Sequence, residues 1–268
     1  MMQVEVNGSK VNYSTGGRPH TAGQPNVLFL HGAGNCHLTW TQQVRSFAYG
    51  GFNVIAPDLP GHGLSEGAPI LGVEEQAKWL IALLDALKIE NVHLVGHSQG
   101  AIISLEAAAL VPERVLSTVF VASAAAIPAN EALIKMAEET PEKAFDLMVS
   151  WGSGTSAHMR TNSVPGVSLI DGGVRVMGLN SPDALGIDLR SCAAYENGVA
   201  AAQKLTCPSL CIFAKQDKMT PLRAGRVLAD NLANNEMHVL EGAGHMLPLE
   251  KPQEINQLIK NFYHSNFK

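Results

Sequence analysis

The chain has 268 residues, of which 46% are hydrophobic and 16% are charged, the composition of a folded globular protein. Its 19 Lys and Arg residues and 24 Asp and Glu residues give a formal net charge of −5. Because there is no basic run and no basic helix face, the sequence predicts no nucleic-acid partner. The length suits one large α/β domain, with or without an insertion.

The apolar segments and the cysteines bear on location. The N-terminal residues lack the basic segment and apolar core of a signal peptide, and the apolar stretch 101–111 is short and interrupted by Glu106. We therefore expect no membrane span. The cysteines are scattered without a repeated Cys-x-x-Cys pattern, at Cys36, Cys192, Cys207 and Cys211. This usage favours a reducing compartment, so the sequence predicts a cytoplasmic protein.

Strand and helix patterns alternate through the first half of the chain. The segment VEVNGSKVNY alternates around Asn7 and Gly8, which predicts an antiparallel hairpin. Buried strands are predicted at 26–32, 52–58, 92–98 and 116–123, with helices at 39–49, 73–89 and 101–111. This alternation is typical of an α/β protein whose mostly parallel sheet has helices on both faces.

The alternation stops between residues 125 and 203. There, helical patterns flank a Gly- and Ser-rich stretch at 152–166, and no central strand is evident. We interpret 125–203 as an inserted helical cap that divides the core into 1–124 and 204–268. The second core segment shows strand patterns at 209–217 and 236–245, a helix near 222–233 and a last helix after Pro252.

The segment HLVGHSQGA, residues 93–101, carries the clearest chemical signal. Gly-x-Ser-x-Gly arises by chance in many chains, but here it stands between a buried strand and a helix. A nucleophile on such a sharp turn needs very small residues two positions to either side, and Gly96 and Gly100 meet that requirement. The context therefore favours Ser98 as a nucleophile over Ser98 as a polar turn residue.

A serine nucleophile needs a base and a group that orients the base. His245 ends the last predicted strand and Asp217 ends the preceding one, so both are expected at the carboxyl edge of the sheet. Their order after Ser98 is the one expected when a nucleophile turn follows a strand of such a sheet. A loop histidine and a turn-forming aspartate are the alternative interpretations.

The segment FLHGAGN, residues 29–35, is the candidate for stabilising an oxyanion. Gly32, Ala33 and Gly34 follow a buried strand directly, where a backbone with small side chains can turn its N–H groups inward. The Ala33 and Gln99 amides are the candidate donors. A glycine-rich turn without a ligand is the alternative.

Five segments together resemble the α/β-hydrolase superfamily, namely LHGAGN, APDLPGHGLS, GHSQG, FAKQDKMTP and GAGHMLPLEKP. The resemblance covers nearly the whole chain outside the cap. It implies the α/β-hydrolase fold, with a mainly parallel eight-stranded sheet and a cap inserted after the sixth strand. It also implies a triad of Ser98, Asp217 and His245, an oxyanion hole at Ala33 and Gln99, and chemistry without a cofactor.

Within that superfamily, the sequence is similar to small esterases, lactonases and carbon–carbon hydrolases. Three positions refine the resemblance. Ala214 stands where many relatives have glycine, a small steric change. His97 stands where carbon–carbon hydrolases usually carry asparagine, which disfavours that subgroup. Ser98 in place of aspartate disfavours haloalkane dehalogenase and epoxide hydrolase chemistry.

Apolar residues near the motifs are candidates for a substrate pocket. The predicted lining residues are Gly32, Gly34, Trp40, Met148, Trp151 and Met246. The cap residues among them, with Met136, Met159 and Met177, suit the core of the cap equally well. The resemblance makes His31 and His62 structural residues, and the absence of His-Glu-x-x-His and phosphate-loop motifs predicts no metal and no nucleotide site.

The sequence thus predicts a serine hydrolase that cleaves a small, largely apolar carboxylic ester through an acyl-enzyme. The same triad also suits lactone, thioester, amide or carbon–carbon bond hydrolysis. A ligand receptor that signals through cap movement is the alternative from another class of protein.

Overall fold

The computed structural model describes residues 1–159 and 166–267, so part of the Gly- and Ser-rich stretch lies outside the described residues. The described strands are β1 (Met2–Val6), β2 (Ser9–Ser14), β3 (Asn26–Leu30), β4 (Asn53–Pro57), β5 (Val92–His97), β6 (Val115–Val121), β7 (Ser209–Ala214) and β8 (Asn235–Leu240). The described α-helices are α1 (Thr41–Ala48), α2 (Val73–Ala86), α3 (Gln99–Leu110), α4 (Glu131–Glu139), α5 (Pro141–Gly152), α6 (Thr155–His158), α7 (Leu169–Met177), α8 (Ala184–Ala194), α9 (Gly198–Lys204), α10 (Leu222–Asp230), α11 (Leu247–Glu250) and α12 (Pro252–Asn266).

The strands form one eight-stranded sheet in the order β1-β2-β4-β3-β5-β6-β7-β8. The β1–β2 and β2–β4 pairs are antiparallel, and every other pair is parallel. Asn7 and Gly8 both have positive φ, 50° and 81°, as the tight hairpin turn between β1 and β2 requires. The predicted hairpin and the predicted mainly parallel, eight-stranded sheet are confirmed.

The sheet is covered by helices on both faces because its side chains alternate. In β3, Leu28 and Leu30 pack in one core cluster with residues of α2 and α3, whereas Val27 and Phe29 pack in another with residues of α1 and α12. Helix α3 is almost entirely buried, in keeping with its apolar sequence on every face. No helix in the described ranges is long and apolar enough to cross a membrane.

Helices α4 to α8 lie between β6 and β7 along the chain, and α4, α5, α7 and α8 contribute residues to one hydrophobic cluster. Helix α9, which the sequence analysis included in the cap, packs on α3 instead, and its Ala201 and Ala202 belong to the core cluster beside the sheet. The packing of α9 therefore differs from that of α4 to α8, and the segment that contains α4 to α8 is called the cap below. Residues of α4, α5, α7 and α8 line the cavity that Ser98 and His245 also line.

Candidate active site

Ser98 occupies the turn between β5 and α3. Its φ of 53° and ψ of −120° are unusual for a residue with a side chain. A Cβ atom at Gly96 would lie 2.4 Å from the carbonyl oxygen of Gly100, and one at Gly100 would lie 2.3 Å from that of His31. The two glycines of the motif are therefore required by close backbone contacts on both sides of Ser98.

His245 and Asp217 lie in loops beyond the strands that precede them. Because β7 ends at Ala214 and β8 ends at Leu240, neither residue ends its strand as the sequence predicted. The loops nevertheless bring the two side chains together, with 2.8 Å between His245 Nδ1 and Asp217 Oδ2. Both residues are buried.

The Asp217 carboxylate is held by four donors. Its Oδ1 accepts the N–H groups of Met219 and Thr220, each at 2.8 Å, and its Oδ2 accepts the Thr220 hydroxyl at 2.8 Å and His245. Burial raises the pKa of Asp217, but the attraction of His245 and these hydrogen bonds outweigh burial and hold the pKa below its usual value. Asp217 is thus an ionised partner fixed in place, and Thr220 is a supporting residue that the sequence analysis missed.

The candidate oxyanion loop follows β3 and lies against Ser98. A Cβ atom at Gly32 would lie 2.9 Å from the Cβ atom of Ser98, so no larger residue fits there without movement. Gln99 is the first residue of α3, and its N–H is among those that a helix leaves without an intrahelical partner. Gly32, Ala33 and Ser98 line one cavity with His245.

Comparison with known proteins shows the family of the chain. The model of the "Alpha/beta hydrolase family" matches residues 27–258, which is most of the chain. The chain belongs to the alpha/beta hydrolase family. It is a hydrolase with the fold of that family.

Three relatives illustrate the range of this family. The 2-hydroxymuconate semialdehyde hydrolase of Pseudomonas putida is 30% identical to this hydrolase, over 88% of this chain and 86% of the relative. The enol-lactonase of Burkholderia xenovorans LB400 superposes with a TM-score of 0.88 at 22% identity, over 98% of this chain and 100% of the other. A thermophilic esterase of Thermogutta terrifontis superposes with a TM-score of 0.86 at 19% identity, over 100% of this chain and 99% of the other. At these identities, the two solved structures establish the shared fold.

The cavity above Ser98 has a volume of about 140 Å³ and a largely apolar wall. Gly32, Met148, Trp151 and Met246, which the sequence proposed as pocket residues, lie in that wall. The cap and the loops contribute further apolar side chains, which are Ile127, Leu133, Val149, Leu169, Met177 and Met219. The polar lining residues that the sequence did not predict are Asn35, His97, Asn130 and Ser153.

Two of the proposed pocket residues lie elsewhere. Trp40 is fully buried in the core, with its ring 5.2 Å from that of Phe29, because the short 3₁₀ helix His37–Trp40 turns it toward the sheet. Gly34 turns its backbone toward the cap, where its N–H donates to Asp188 Oδ2 at 2.8 Å. Of the other cap methionines, Met136 packs against the cap cluster and Met159 is 66% exposed.

The cap also holds the loop that carries His245. The N–H of His245 donates to the carbonyl oxygen of Gly152 at 2.6 Å. The buried carboxylate of Glu250 accepts the N–H of Gly154 at 2.9 Å, and it accepts those of Gly244 and Met246 at 3.1 Å and 3.2 Å. Glu250 therefore binds the cap and both neighbours of His245 with one side chain.

Two other buried histidines flank the site. His97 Nε2 lies 2.8 Å from the carbonyl oxygen of His245, which can only accept, so Nε2 carries the proton. Burial lowers the pKa of His97 to about 3, so the ring is neutral. His31 contacts Gly32 and Leu59, at 2.9 Å and 3.1 Å, and fixes these two loops. Each ring thus has a structural contact of its own.

Cys36, His37 and Asp58 bring one potential metal ligand each within 4.8 Å of one another. Asp58, however, already accepts the His37 N–H and Nδ1–H at 2.7 Å and 2.8 Å and the Leu64 N–H at 3.0 Å. Burial raises the pKa of the Cys36 thiol to about 12, which keeps it protonated. We assign this cluster to holding the loops that follow β3 and β4.

Proposed function

We propose that this hydrolase cleaves small, largely apolar carboxylic esters through an acyl-enzyme on Ser98. The observation that carries the proposal is the meeting of three features at one place. A serine on a sharp turn and a histidine line the same apolar cavity, and an ionised aspartate holds the histidine through a 2.8 Å hydrogen bond.

In the proposed mechanism, His245 takes the proton of Ser98 through Nε2 while Nδ1–H donates to Asp217. The serine oxygen attacks the ester carbonyl, and the Ala33 and Gln99 amides bind the negative charge that develops on the carbonyl oxygen. His245 then gives the proton to the departing alcohol. Water, activated by His245, releases the acid from Ser98 by the same steps.

The cavity wall supports an uncharged, apolar acyl group. Most of the described lining is aliphatic or aromatic, and its polar side chains other than His245 are neutral, namely Asn35, His97, Ser98, Asn130 and Ser153. An apolar wall with a few placed polar groups is typical of small-molecule sites. Relatives named as an esterase and an enol-lactonase also fit hydrolysis of a C–O bond.

The test combines labelling with turnover. A fluorophosphonate should label one serine per chain in the wild-type protein and none in Ser98→Ala. The wild-type protein should also turn over p-nitrophenyl acetate and butyrate many times without a partner protein, which a ligand receptor does not do. A folded wild-type protein that neither labels nor cleaves these esters would contradict the proposal.

A substrate panel separates the bonds that one triad can cleave. Matched lactones, a thioester, an anilide and a vinylogous carbon–carbon substrate should be compared with the esters by kcat/KM. We expect the ester to give the highest value. A lactone or carbon–carbon substrate that exceeds every ester by a factor of about ten or more would move the assignment to that bond.

A further inference from the structure

One cap carboxylate reaches both segments that carry the proposed oxyanion donors. Asp188, on α8, is fully buried. Its Oδ2 accepts the Gly34 N–H at 2.8 Å, and its Oδ1 accepts the side-chain amide of Gln99 at 3.1 Å. Gly34 directly follows Ala33, and Gln99 itself supplies the second donor. The same side chain therefore ties the two halves of the oxyanion hole to each other.

The cap holds Gly34 from a second direction. Asn180 Nδ2 donates to the Gly34 carbonyl oxygen at 2.6 Å, so both polar groups of this residue are bound by the cap. Gly34 has a φ of 63°, and a Cβ atom there would lie 2.7 Å from Met177 Cε. Ala33 packs in the hydrophobic cluster of the cap. The position of the oxyanion loop thus depends on cap residues.

The Asp188 carboxylate has a buried partner in His62. His62 Nε2 donates to Asp188 Oδ2 at 2.9 Å, and both side chains are nearly inaccessible to solvent. Burial lowers the pKa of His62, but Asp188 raises it further, so the pKa lies above its usual value. Removing one partner of such a buried pair would leave the other partner without its counter-group, which is costly. The pair therefore favours a single fixed arrangement of Asp188 and His62.

We infer that Asp188 is a positioning residue that sets the spacing between the Ala33 and Gln99 amides through its contacts with Gly34 and Gln99. The cap is then part of the catalytic apparatus as well as the wall of the pocket. This inference rests on the proposed function. Oxyanion donors act only when they meet the transition state at hydrogen-bonding distance, so small displacements slow the chemical step more than they weaken substrate binding.

The test is Asp188→Asn in the full chain, because an amide keeps the shape but replaces one acceptor oxygen with a donor. We expect kcat for p-nitrophenyl butyrate to fall by a factor of about 10 to 100, with KM changed less than about threefold. The inhibition constant of phenylboronic acid, which forms a tetrahedral adduct on Ser98, should rise in parallel. Asn180→Ala loosens the Gly34 carbonyl without touching the ion pair, and should lower kcat in the same direction even where Asp188→Asn folds poorly.

Ser191→Ala is the matched control. Ser191 lies one turn after Asp188 on α8 and accepts the Gly72 N–H at 2.8 Å, a cap anchor that does not touch the oxyanion segments. It should keep the wild-type kcat and boronate affinity. The inference is overturned if folded Asp188→Asn keeps both values, or if Ser191→Ala loses as much as Asp188→Asn. Failure of the proposed function would be visible separately, as wild-type hydrolysis by Ser98→Ala.

Discussion

Replacing Asp217 with asparagine should prevent His245 from acting as a base while leaving the site assembled. Asp217 Oδ1 accepts two backbone N–H groups, from Met219 and Thr220, so the amide oxygen of the new residue must take that position. The amide nitrogen then takes the place of Oδ2, which lies 2.8 Å from His245 Nδ1. Because an amide nitrogen only donates, His245 Nδ1 must accept that hydrogen bond, and the proton of the ring moves to Nε2. Nε2 then lacks the lone pair that it needs to take the proton of Ser98.

The magnitude follows from this tautomer. In serine hydrolases with a Ser-His-Asp triad, the wrong tautomer lowers kcat by a factor of about 10⁴, which is a barrier about 5 kcal/mol higher. The effect on folding is far smaller, because both backbone donors keep their acceptor. We expect the free energy of unfolding to change by only about 1 to 2 kcal/mol. KM should stay within about threefold of the wild-type value, since the substrate does not touch Asp217.

The assay is steady-state hydrolysis of p-nitrophenyl butyrate, with a thermal melt to show that the variant is folded. Glu106→Gln is the control, because Glu106 is also a buried carboxylate, it accepts hydrogen bonds from Tyr195 and Asn197 at 2.8 Å and 2.9 Å, and none of these three residues lines the cavity. It should keep kcat within about threefold of the wild-type value. Folded Asp217→Asn that retains more than about a tenth of the wild-type kcat would refute the orientation of His245 by Asp217.

Two further predictions concern the stability of the fold, and a third concerns the length of the acyl chain of the substrate. Gly100→Ala should lower the free energy of unfolding by at least about 3 kcal/mol, because its Cβ atom would lie 2.3 Å from the His31 carbonyl oxygen. Gly172→Ala is the control, because no atom lies within 4 Å of a Cβ atom there. Equal melting temperatures for the two variants would contradict this prediction. Burial lowers the pKa of His93 to about 4. As pH falls below about 6.5, the His93 side chain therefore binds a proton in the unfolded chain before it does so in the folded protein. Between pH 7 and pH 5, the free energy of unfolding measured in urea should fall by about 2 kcal/mol more for the wild-type protein than for His93→Gln. An equal fall in the two proteins would contradict this prediction. Met148→Trp should lower kcat/KM for octanoate relative to acetate esters at least about tenfold, and an unchanged ratio would show that Met148 does not bound the acyl site.

Local patterns in the sequence were enough to predict the sheet and the sharp turn that carries Ser98. The turn at Asn7 and Gly8, the apolar strand runs and the small residues beside Ser98 each act on near neighbours, so their consequences are visible in a short stretch of sequence. The proximity of Asp217 and His245 could be predicted because the carboxyl ends of parallel strands converge, even though the strands end earlier than expected.

Long-range contacts of the cap could not be predicted in this way. Asp188 binds Gly34 across 154 residues and His62 across 126 residues, and no periodicity in a helix reveals which loop its buried carboxylate will meet. Trp40 shows the same limit at short range. Its large ring suited a pocket wall or the core equally well, and only the direction of the 3₁₀ turn placed it in the core.

The hydrogen bond from the His245 N–H to the Gly152 carbonyl oxygen has a consequence for protein engineering. A chimera that received its entire cap from a relative would replace the backbone segment that supports His245, together with the Gly154 contact to Glu250. Grafts with new acyl specificity should therefore retain residues 152–154 of the host. Diversity introduced in α4, or in α5 before Gly152, alters the pocket and leaves the support of the histidine loop intact.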